Sequence, residues 1–222
     1  MGALVRYQLA LLLRSQRWLA PLLLYAGLLS VGVRPGEPLL DSLGLVAALL
    51  LPPAAWLVRI CVTSEPDAAR HCASAAAGPT RAHLAAVAAG GVFAAVLGCA
   101  GVGVVVAISA PKTTNGTASV PVAMATVAGL CAVLTCVFAG VAVGTLCNRP
   151  LVRSPGRAVS TTLLGTILTL ALGASPANAA VTGLVRASSE GTPHAPWFPL
   201  LTALALALTT ATAAALTTRH RA

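Results

Sequence analysis

The sequence predicts an all-α, polytopic membrane protein, and three observations carry that fold class. Charged residues make up 9% of 222 residues and hydrophobic ones 57%, whereas a soluble domain is roughly 25% charged. Six apolar runs, near 18–33, 42–62, 83–109, 120–147, 158–175 and 198–217, approach or exceed the roughly 20 residues that a helix needs to cross a bilayer. The runs are rich in Ala, Leu and Val and lack the ten-residue alternation of a membrane barrel, so helices are expected to satisfy the backbone.

Residues 1–17 place Leu4, Tyr7 or Gln8, Leu11 and Leu12 near one stripe, with Arg6, Arg14 and Arg17 away from it. That pattern predicts an interfacial helix whose leucines enter the acyl boundary while its arginines meet anionic lipid headgroups. A polar tail running straight into the first span is the alternative. Trp18 marks the interface where that span begins. The span follows an amphipathic stretch and lacks a small-residue exit site, so it is expected to remain in the mature protein. Residues 18–222 then form one six-helix membrane domain.

Span two contains Pro52 and Pro53. Two adjacent prolines remove two backbone donors, which reads either as a kink supported by neighbouring helices or as a hinge between the membrane core and the next segment. That segment, 59–82, holds Glu65 and Asp67, the only acids on the arginine-rich side of the chain. Ser64 suits an N-cap, Pro66 an early helical position, and the two carboxylates the positive end of the dipole. A short helix over 64–77 is predicted, stopped by Gly78-Pro79. It is either a solvated connector or a docking element for a soluble partner.

Gly140 and Gly144 in span four stand in Gly-x-x-x-Gly spacing, which lets helices approach closely, within one bundle or across a dimer seam. Asn115-Gly116-Thr117 matches a glycosylation sequon in a predicted external loop. Thr162, Thr166 and Thr169 share one face of span five, as local packing or as a candidate substrate path. The helix-prone piece after Pro176 is too short to cross and is expected to dip into, or lie on, the outer leaflet.

Arginine placement orients the chain. With both termini in the cytoplasm, Arg6, Arg14, Arg17, Arg59, Arg70, Arg81, Arg149, Arg153, Arg157, Arg219 and Arg221 lie inside, 11 of the 14 basic residues, leaving Arg34, Lys112 and Arg186 outside. The net charge of +9 therefore reflects membrane orientation; nucleic-acid binding would need a clustered soluble basic face. All six cysteines fall in spans or the cytoplasmic loop, so neither a disulfide framework nor a metal site is expected.

Enzymatic chemistry is not expected either. No nucleophile has a histidine partner within a span, every acid lies in a loop, which disfavours proton coupling, and the single lysine, Lys112, has no phosphate-binding loop around it. Uphill transport would need another chain's energy.

The opening Arg6-Tyr-Gln-Leu-Ala-Leu-Leu-Leu-Arg-Ser-Gln-Arg-Trp18, the six-span layout, Glu65-Pro-Asp-Ala-Ala-Arg70 and Ser175-Pro-Ala-Asn-Ala-Ala-Val181 together resemble permeases of the ABC-2 class, as in multidrug and antibiotic exporters of actinobacteria. The resemblance implies an elbow helix at the N-terminus and a coupling helix between spans two and three, with Glu65, Asp67, Arg70 and His71 as coupling residues. It also implies a separate ATP-binding subunit that supplies ATP and Mg, with no cofactor on this chain. A second permease chain, identical (a homodimer) or paralogous, completes the pump in a bacterial plasma (inner) membrane. The thinly polar interior leans towards hydrophobic or amphipathic cargo. A non-transporting scaffold or immunity-type protein, and a passive channel or secondary carrier, are the rival readings.

Overall fold

Each of the six apolar runs is helical in the structure, a computed structural model that describes residues 1–116, 118–148 and 154–219. Thr117 of the sequon, Arg149, Arg153, His220 and Arg221 lie outside the described residues, as do the side chains of Asp67 and Arg219. In chain order the helices are α1 (Gly2–Arg14), α2 (Leu19–Gly32), α3 (Leu39–Thr63), α4 (Asp67–Ala77), α5 (Pro79–Ile108), α6 (Val122–Leu146), α7 (Pro155–Ala171), α8 (Pro176–Glu190) and α9 (Trp197–Arg219).

The chain is an all-α multi-pass membrane protein. Four helices, α3, α5, α6 and α9, are long and apolar enough to cross a bilayer, and α7 with α8 makes a fifth crossing if that bent pair counts as one. The expected count of six departs from this at α2. Its 14 residues cover roughly 21 Å, short of the roughly 30 Å hydrocarbon core.

The centre of the bundle is α3, buried along most of its length from Leu39 to Val62. Small residues on α5 and α6 allow their backbones onto it. A side-chain carbon at Gly90 of α5 would sit 2.8 Å from Val58 Cα, and one at Gly140 of α6 would sit 2.8 Å from Ala54 Cβ and 3.0 Å from Leu51 O. At Gly144 it would meet Ala55 O at 2.9 Å. The Gly-x-x-x-Gly spacing therefore serves packing within the chain, where lipid supplies no hydrophobic drive and close van der Waals approach does the joining.

These contacts also set direction. Gly90 meets Val58 while Gly98 meets Leu50, so α5 runs against α3; Gly129 meets Leu43 while Gly140 meets Leu51, so α6 runs with it. Segments 33–38 and 109–121 consequently gather at one end, with 1–14 and 64–78 at the other, arginine-rich end. The first end is stitched by backbone: Gly36 N donates to Ile108 O (3.0 Å), Ala110 N to Glu37 O (2.9 Å) and Thr114 N to Ser188 O (3.2 Å). Thr114 Oγ1 adds a 2.7 Å bond to Asp41 Oδ2.

The segment after Pro176 follows α7 across a bend. α7 and α8 meet at a 44° bend. Cys147 Sγ donates to Thr161 O (3.4 Å) near the arginine-rich end, and Ser188 reaches Thr114 at the opposite one. The pair thus reaches from the arginine-rich end to the Thr114 end, as a broken span or a re-entrant loop. Ser175 caps α8 by accepting from Ala177 N (3.3 Å), and Asn178 Nδ2 donates to Leu170 O (2.6 Å) across the break. Polar groups freed by the break are in this way satisfied by the chain itself, as a nonpolar surrounding requires.

Candidate functional site

The site is built where α3 ends and the chain turns along the arginine-rich end. Ser64 does not cap the next helix: its hydroxyl donates back to Cys61 O (3.4 Å). Pro66 occupies the N-cap position without a side-chain bond, so α4 begins at Asp67, three residues later than predicted. Gly78, at φ 87, ends it, a conformation that glycine adopts without steric strain. Pro79 then opens α5.

α4 packs on α5 and leaves one side open. Ala68, His71, Cys72, Ala75 and Ala76 are exposed, at the i, i+3, i+4, i+7, i+8 spacing of a single helical face. Four of the five are small, so the surface is smooth, with His71 as its polar feature. Arg70 lies off that face and reaches back to the end of α3, where Nη2 donates to Val62 O and Glu65 O, both at 3.3 Å.

Glu65 is the departure from expectation. Predicted as a water-facing docking residue, it is only 8% exposed, and its Oε2 accepts from Gln8 Nε2 of α1 at 3.2 Å. Gln8 is 3% exposed. Both residues keep a buried oxygen without a partner, Gln8 Oε1 and Glu65 Oε1, and His83 of α5 likewise keeps Nε2 unpartnered. Partial burial, then the negative charge of the neighbouring Glu65 carboxylate, hold the Tyr7 phenol above its ordinary range.

Of the four predicted coupling residues, the structure therefore places His71 on the open face, Arg70 on the α3 terminus and Glu65 under α1, while the Asp67 side chain is outside the described residues. Gln8 was the residue that sequence reasoning missed as a partner. Its signal was a polar side chain on the leucine stripe of α1, but a contact to a residue 57 positions away has no local signature.

The remaining predicted positions lie apart from this site. Pro52 and Pro53 sit inside α3, which stays helical through both. Thr162, Thr166 and Thr169 donate to Ala158 O, Leu163 O and Gly165 O of their own helix, the local bonding that threonine commonly adopts in helices. An open groove of about 440 Å³ lies elsewhere, between the start of α8 and α9, lined by Ser175, Pro176, Phe198, Thr202 and Leu206 among others.

Known protein families, curated proteins and solved structures offer no match to the chain.

Proposed function

We propose that the chain is the membrane permease subunit of an ATP-driven exporter of the ABC-2 kind, which engages a separate ATP-binding subunit through α4. The observation that carries this reading is the open, small-residue face of an 11-residue helix held between two candidate membrane spans at the arginine-rich end. Such a face suits insertion into a partner's groove, since small side chains let a helix approach closely.

In this reading α2 is the first of six crossings, preceded by α1 as the interfacial elbow helix, and both termini are cytoplasmic in a bacterial plasma membrane. The partner binds ATP and Mg, and this chain has no enzymatic role. Movement of α4 passes through Arg70 to the end of α3, and the Pro52-Pro53 segment is where α3 yields. A second copy or a paralogue completes the pathway, and the cargo is hydrophobic or amphipathic. His71 and the face around it take the docking role; Glu65 and Arg70 act behind it.

Co-purification with the ATP-binding subunit tests the proposal. Ala75→Glu with His71→Glu, in a chain that inserts normally, is expected to abolish both complex formation and stimulated ATP hydrolysis. Retention of both activities would refute the docking role. ATP-dependent transport in vesicles separates the exporter from a scaffold, and gradient-driven flux through this chain alone would favour a channel or carrier.

A further inference from the structure

Glu65 is joined in two directions at once. Its carboxylate accepts from Gln8 of α1, and its backbone oxygen accepts from Arg70 of α4. α1 itself is anchored by Leu12, fully buried, with Val5 and Leu9 packed on the same core. We propose that Gln8 and Glu65 are positioning residues that make the N-terminal helix and α4 move as one unit, a role that rests on the docking function proposed for α4.

The chemistry favours a fastening that opens readily. A hydrogen bond across the joint fastens it, while a buried oxygen left without a partner works against the fastening. The joint contains one such bond and two such oxygens, Gln8 Oε1 and Glu65 Oε1. Separating α1 from Glu65 hydrates both orphaned atoms, so the lost bond is largely offset. A buried joint with those properties transmits displacement without locking it.

The test uses the full-length purified chain and two site-resolved readouts, hydrogen exchange of residues 2–14 and maleimide labelling of Cys72, a native exposed thiol on α4. Gln8→Ala is expected to speed α1 exchange roughly tenfold and to change the Cys72 labelling rate severalfold. Gln8→Glu, which sets two carboxylates face to face, should do the same. Exchanging the pair, Gln8→Glu with Glu65→Gln, restores an amide opposite a carboxylate and should return both readouts to within about twofold of the parent, an outcome that generic structural damage does not produce. The proposal is overturned if Cys72 labelling stays at the parental rate while α1 loosens, or if the exchanged pair gives no rescue. Failure of the parent to bind an ATP-binding subunit would instead count against the docking role and leave these ratios unchanged.

Discussion

Two prolines in the middle of α3 leave it continuous from Leu39 to Thr63, whereas a single proline, Pro176, follows the break between α7 and α8, with its 44° bend. The difference lies in what surrounds each site. At Pro52-Pro53 the carbonyls of Ala48 and Leu49 lose their usual donors, but α6 presses Gly140 onto Leu51 and Ala54, and α5 brings Gly98 onto Leu50. Neighbouring backbone holds that stretch in helical form. Around Pro176 the chain is packed as well, with Ala177 and Ala180 fully buried, but there Ser175 and Asn178 offer local hydrogen bonds. Proline alone therefore does not decide whether a membrane helix breaks; the supply of local caps separates the two sites.

That contrast can be attacked from both sides. The largest effect is expected for Gly140→Val, which forces α6 off the proline stretch and should lower stability by about 2–3 kcal/mol in thermal unfolding of the purified protein. Asn178→Leu removes the bond that bridges the α7–α8 break and should lose about 1–2 kcal/mol in the same assay; no change would mean that the break needs no donor. Pro52→Ala returns one backbone donor to α3 and is expected to gain about 1 kcal/mol. Lower transport in that variant would mark the segment as a hinge, and unaltered transport as a tolerated kink. Ser175→Ala, through loss of a cap, should cost about 0.5–1 kcal/mol. Gly183→Ala, with open space around it, should gain about 0.5 kcal/mol through helix propensity; a loss there would show that α8 packs more tightly than the Gly140 contrast requires.

The helices were legible because apolar length and arginine placement act locally on each run. All six apolar runs became helices, and Gly78-Pro79 ended α4 as its backbone preferences dictate. What escaped depends on partners distant in sequence. Glu65 looked like a docking residue because its neighbours are polar, yet a glutamine on the first helix draws it inside. Ser64 had a better acceptor in the last turn of α3 than a donor in α4.

One dimension of the bundle has a consequence for the lipid around it. α2 reaches only roughly 21 Å by its length, yet it turns Leu23, Leu24, Leu28 and Val31 outward. If α2 crosses the bilayer, as the proposed permease requires, a hydrocarbon layer of about 30 Å overhangs it by roughly 9 Å, and local thinning would relieve the mismatch. The perimeter of the protein would then be uneven, thin beside α2 and of ordinary depth beside α9, with its 23 residues. In membranes of increasing acyl length the penalty rises on one flank alone, which favours burying that flank against another short helix.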